Sequence, residues 1–140
     1  MAVRTYKKLA LRTENLDFPG IMGRILTMQA DEKSVDHHTL IRLLHAGMGL
    51  ASEAGEFTDA LKKYLFYGKP LDKANLVEEL GDLRWFMEQA ADALGVSMYE
   101  IEQANIRKLS VRYPEQFTED KAVNRDLGAE QQAMGGKDGR

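Results

Sequence analysis

At 140 residues, 44% hydrophobic and 29% charged, the chain has the size and balance of one globular domain with a real hydrophobic core. A net charge of −3 argues against a nucleic-acid or anionic-membrane surface, and the absence of cysteine excludes disulfides and thiolate zinc sites. No apolar run approaches the ~18 residues of a membrane span, and MAVRTYKKLALRTE carries no signal-peptide core, so the expected setting is the cytoplasm.

In chain order, residues 3–14 read as a short amphipathic helix or ordered arm, and Pro19-Gly20 as a loop signal. A further short helix is expected around residues 21–28, ended by Asp31 to Ser34. Residues 1–33 are therefore expected to be an N-terminal arm, and residues 34–118 the main helical domain.

The first long helix should be capped near Ser34–Asp36 and end at Gly68, with Pro70 beyond it. Leu40, Leu43, Leu44, Ala51, Ala54, Leu61 and Leu65 follow the spacing of one buried stripe. Such a helix is unusually long, and a break near Gly47–Gly49 is expected. Asp72 can cap the second long helix, on which Leu76, Leu80, Leu83, Met87, Ala90 and Leu94 form a stripe closed by Gly95. A third helix opens on Ser97-Met98-Tyr99-Glu100, the pattern of a capping box, and stops at Tyr113-Pro114. The segment 119–140 turns polar and glycine-rich and is expected to be a flexible tail. No segment alternates with period two, so the fold class is all-α.

Two acidic pairs stand out, Glu53 with Glu56 and Glu79 with Asp82. Residues i and i+3 share a helix face, roughly 5–6 Å apart at Cβ. In an antiparallel hairpin the two pairs can come level, and four converging carboxylates suit a hard divalent cation. The competing reading is an exposed acidic face paired with Lys62, Lys63 or Arg84. On the first helix, Glu53 and Glu56 lie away from the leucines, in line with Gly49 and Ala60, whose small size would admit a second helix. Asn105, Lys108 and Arg112 share one side of the third helix and either snorkel at its edge or contact phosphates.

Glu53-x-x-Glu56, then Glu79-x-x-Asp82 within E-E-L-G-D, then Asn105-x-x-Lys108-x-x-x-Arg112-Tyr113-Pro114, resemble the MazG-like family over roughly residues 38–118. LLHAGMGLASEAGE and NIRKLSVRYPEQF look like the short single-domain members of bacteriophages and bacteria. The resemblance implies a helical bundle whose core helices form an oligomeric four-helix arrangement, in a homodimer or homotetramer. It also implies hydrolysis of a (deoxy)nucleoside triphosphate to the monophosphate and pyrophosphate, with Mg²⁺ or Mn²⁺, two or more ions per site. The implied metal ligands and catalytic groups are Glu53, Glu56, Glu79 and Asp82. Lys63, Asn105, Lys108 and Arg112 are then candidate phosphate contacts, and Trp85, Phe66 and Tyr67 candidate base contacts. Trp85, opposite the leucine stripe, equally suits a subunit interface. His45 and Glu78 are candidates for a place behind the metal ligands, and Ser52 stands where many relatives carry another glutamate. A purine such as dGTP is the expected substrate, in the host cytoplasm if the chain is phage-encoded. The alternative is a non-catalytic oligomerisation or nucleotide-binding module. A di-iron carboxylate bundle is set aside, because neither acidic pair carries the required Glu-x-x-His histidine.

Overall fold

The computed structural model describes residues 6–29 and 34–135 and is helical, with no strand among them. Seven helices follow in order: α1 Tyr6–Leu11, α2 Phe18–Leu26, α3 His37–Tyr67, α4 Lys73–Ala93, α5 Met98–Arg112, α6 Glu119–Val123 and α7 Leu127–Ala133. Among the described residues no helix is long and apolar enough to cross a membrane. Two compact units divide at Ile41 and Arg42.

In the first unit, Asp17 caps α2 by accepting from the Gly20 N–H at 3.0 Å, and Pro19 sits in the first helical turn. The Pro-Gly pair read from sequence as a loop therefore starts a helix. Proline suits that place, since first-turn N–H groups have no intrahelical partner. His37 hydrogen-bonds the Ile25 carbonyl. Most of the residues Asp31 to Ser34, expected to end α2, lie outside the described residues.

The second unit is built on the antiparallel pair α3 and α4. Gly68 closes α3 with a left-handed φ of 63°, and the Lys69 N–H turns back to the Lys63 carbonyl. Asp72 then caps α4 by accepting from the Asn75 N–H at 3.0 Å. Contacts descend the seam in regular steps. Arg42 Nη2 lies 2.5 Å from Asp92 Oδ2, and His45 Nδ1 lies 3.1 Å from Gln89 Nε2. Gly49 meets the Phe86 ring one step further down.

Two expectations for α3 change here. The helix runs unbroken through Gly47 and Gly49. The leucine stripe is only partly the buried line: Leu40, Leu43 and Leu61 are partly buried, Leu44 and Leu65 are 55% and 68% exposed, and the buried residues are Ala46, Gly49 and Ala60. Phe86 accounts for the buried Gly49, because its ring fills the seam there and requires a facing residue without a side chain. A Cβ on Gly49 would stand 2.2 Å from Phe86 Cε1, whereas one on Gly47 meets nothing within 4 Å. Gly49→Val should therefore destabilise the fold by about 1–3 kcal/mol. Gly47→Ala should stabilise it by up to about 1 kcal/mol, both read by thermal unfolding. The α4 stripe is likewise half open, with Leu80 and Leu94 exposed and Leu76 and Leu83 partly buried.

The capping box of α5 is present, with Ser97 accepting from the Glu100 N–H at 3.2 Å and Glu100 accepting from the Ser97 N–H at 2.7 Å. Arg84 of α4 reaches Glu102 of α5 at 3.2 Å. The segment expected to be a flexible tail is ordered through Gly135. Thr118 caps α6 and Asp126 caps α7, and α7 packs along α5. The reason is polar: Glu130 of α7 is buried, 3% exposed, between Arg112 and Arg125. Hydrogen bonds from Arg112 first, then Arg125, pull its carboxyl from the ordinary 4.5 to about 2. A carboxyl held low binds fewer protons in the folded state. Its stabilisation is thus complete above the ordinary value and is lost as pH falls toward 2. An acid titration followed by helical circular dichroism should show part of its transition in that window, and Glu130→Gln should remove that part.

Candidate functional site

Glu53 and Glu56 come from the middle of α3 and Glu79 from the second turn of α4. The antiparallel seam brings them together: one carboxylate oxygen from each lies within 4.8 Å of the other two. Glu79 is buried, 4% exposed, Glu53 is partly buried and Glu56 is exposed, so the group opens to solvent on one side. Its three candidate ligand atoms are all carboxylate oxygens, the donor type of hard cations such as Mg²⁺, Mn²⁺ or Ca²⁺. The residues present therefore fit a divalent ion.

The electrostatics of Glu79 point the same way. Burial, the largest influence, pushes its carboxyl above the usual range. The hydrogen bond from Asn75 opposes that push, while Glu56 and Glu53 add to it. Asn75 Nδ2 donates to Glu79 Oε1 at 2.6 Å, four residues along the same helix, and thereby fixes the carboxylate. Ser52 Oγ lies 3.0 Å from Glu53 Oε1 and 2.9 Å from the Gly49 carbonyl, and its single proton can serve either. From the sequence, Asn75 has no part in the site, and Ser52 stands out only as the place of another glutamate. The i, i+4 spacing of Asn75 and Glu79 was the available signal.

The remaining candidates distribute as follows. Asp82 is exposed and stands outside the group of three, and Glu78 is exposed on another side of α4. Lys63 Nζ pairs with Asp59 Oδ2 at 2.8 Å, and Lys62 pairs with the same carboxylate. Those two lysines hold Asp59 near pKa 2, Lys62 contributing most. Asn105 and Lys108 have no hydrogen-bond or ion-pair partner among the described residues, whereas Arg112 is held by Glu130. Phe66 and Tyr67 are 77% and 63% exposed at the end of α3. Trp85 is 56% exposed and stands edge-on to Phe86 at 4.8 Å. His45 packs edge-on to Phe86 at 5.7 Å and hydrogen-bonds Gln89, a place on the seam two turns before Glu53.

The family model described as the MazG nucleotide pyrophosphohydrolase domain matches residues 42–117, a little over half of the chain, and so covers both acidic helices and α5. The Gene 37 protein of Mycobacterium phage L5 is 35% identical over 74 residues, which are 50% of this chain. That match spans 65% of the phage protein's own length, just under two thirds. No solved structure matches the chain. Carboxylates converging from paired helices, inside a matched region that spans both, lead to one conclusion: the chain belongs to the MazG nucleotide pyrophosphohydrolase domain family.

Proposed function

We propose that the chain is a Mg²⁺- or Mn²⁺-dependent pyrophosphohydrolase that converts a (deoxy)nucleoside triphosphate and water to the monophosphate and pyrophosphate. The observation that carries this reading is the meeting of Glu53, Glu56 and Glu79 on a seam built within one chain. Glu53, Glu56 and Glu79 would hold the ion, with Asp82 one turn along α4 available to a second. When bound, the divalent ion neutralises phosphate charge and lowers the pKa of water. The chain's own part is positional. Asn75 orients Glu79, Ser52 steadies Glu53, and the seam fixes both helices before substrate arrives. Asn105, Lys108 and Arg112 supply donors for phosphate oxygens, and Lys63 adds charge near the end of α3. Positioning and charge neutralisation carry most of phosphoryl transfer, so no covalent nucleophile is required.

The reading extends to a homo-oligomer in a cytoplasmic setting. Leu44 and Met48 on α3, with Val77 and Leu80 on α4, are 55–69% exposed. Helices that leave apolar side chains open at regular spacing call for a partner. A second copy offers matching faces, the four-helix arrangement of two α3–α4 pairs. A purine such as dGTP is the first substrate to assay.

Purified protein incubated with each of the eight common (d)NTPs and Mg²⁺ or Mn²⁺ should release pyrophosphate from at least one. Orthophosphate as the product, or no turnover of any of the eight, would remove this reading.

A further inference from the structure

The family match ends at residue 117, yet the chain continues into α6 and α7, and α7 lies along α5. Small apolar residues such as Ala129 and Ala133 are only partly buried there. Val123, Leu127 and Met134 remain 79%, 61% and 40% exposed, while Glu130 is the buried residue of α7. Arg112 donates through Nε to Glu130 Oε1 at 2.9 Å and through Nη2 to Oε2. Arg125 donates to the same two oxygens at 3.3 and 2.7 Å, and Arg107 Nε donates to the Ala133 carbonyl at 3.0 Å. Burying a carboxylate is a poor way to fasten a helix, since desolvation offsets much of the pairing. What such an arrangement does well is fix a guanidinium in one orientation.

Arg112 has five N–H donors; Glu130 takes one from Nε and one from Nη2, and the Tyr113 side chain lies beside the same guanidinium. Arg112 shares its side of α5 with Asn105 and Lys108, neither of which has a hydrogen-bond or ion-pair partner among the described residues. We propose that Glu130 is a positioning residue: held by Arg125, it orients Arg112 so that guanidinium donors not taken by Glu130, on the side of α5 that carries Lys108 and Asn105, receive phosphate oxygens of the substrate. This rests on the triphosphate reading given above. It gives α6 and α7 a task in binding, carried out from outside the matched domain.

Steady-state kinetics and calorimetric titration with inorganic pyrophosphate, both in Mn²⁺, test it. Glu130→Gln should raise KM about tenfold, the loss of one well-oriented charge-assisted contact, with kcat within about twofold. Pyrophosphate affinity should fall by a similar factor while Mn²⁺ affinity is unchanged. Glu130→Asp, which keeps the charge, should recover part of the loss, and Arg125→Gln should show a smaller effect of the same kind. A folded Glu130→Gln protein with unchanged KM and pyrophosphate affinity would overturn the proposal. A lowered KM would overturn it too, by showing that Glu130 competes with phosphate for Arg112. Should Glu130→Gln not fold, Arg125→Gln decides, and wild-type values there would overturn the proposal. Wild-type protein that binds pyrophosphate in this Glu130-dependent way but hydrolyses no triphosphate would defeat the function and leave the phosphate site standing. Wild-type protein that binds no pyrophosphate would defeat the site itself.

Discussion

Glu79→Gln is expected to reduce pyrophosphate release at least about a thousandfold, equivalent to about 4 kcal/mol of transition-state stabilisation. Glu79 is the buried member of the three carboxylates, and its oxygens are already oriented by Asn75. Glutamine keeps the size and the oxygen but not the charge that a cation requires. The same substitution should raise, not lower, the stability of the metal-free protein. Burial and the neighbouring Glu56 and Glu53 make the ionised form of Glu79 unfavourable. A carboxyl raised in this way binds more protons folded than unfolded. Its stability contribution is therefore present below its ordinary pKa and is lost as pH rises through the raised value. Metal-free wild type should become less stable along that limb, and Glu79→Gln should flatten it. Addition of Mn²⁺ should raise wild-type stability by about 2.7 kcal/mol at a hundred times its Kd and raise the variant by about half as much or less. Thermal unfolding across pH, with and without metal, reads all of this.

Met48→Glu is expected to weaken self-association by at least about a hundredfold, close to 3 kcal/mol. Met48 is 66% exposed on α3 and lies one turn from Leu44, which is 55% exposed. A carboxylate placed there would be buried unpaired in the oligomer and fully solvated in the monomer, so the change acts on association alone. Sedimentation should show the wild type as a dimer or larger and the variant shifted to monomer at the same concentration. Because Glu53, Glu56 and Glu79 gather within one chain, the monomeric variant should still bind Mn²⁺. This separates the metal site from self-association. In the sequence, Glu53 and Glu56 lie away from their own leucines, on a line whose small residues would admit a second helix, and the oligomer was expected as a separate consequence of the resemblance. In the structure they face α4, and Leu44 and Leu65 of the leucine stripe are left open.

That reversal shows where the sequence was legible. Helix ends were readable because their causes are local: Asp72, the Ser97–Glu100 box and the left-handed Gly68 and Gly95 act within a few residues. The acidic pairs were readable for the same reason, as spacing along one helix. Which face each helix buries was not. At Gly49 the burial on α3 follows from the Phe86 ring on another helix, which leaves no room there for a side chain. Hydrophobic spacing finds large side chains and is blind to a seam built from small ones. Glu130 was missed because its partner Arg112 lies eighteen residues back, and nothing in a polar, glycine-rich segment announces a buried carboxylate. The caps Thr118 and Asp126 were the one local sign that helices start there.

Calorimetric titration of the purified protein with Mn²⁺, in parallel with Glu53→Gln and Glu79→Gln, tests the central claim most directly. The account predicts saturable binding to the wild type, with affinity reduced at least about tenfold in each variant. Equal affinity in all three proteins would place the metal elsewhere and contradict the site.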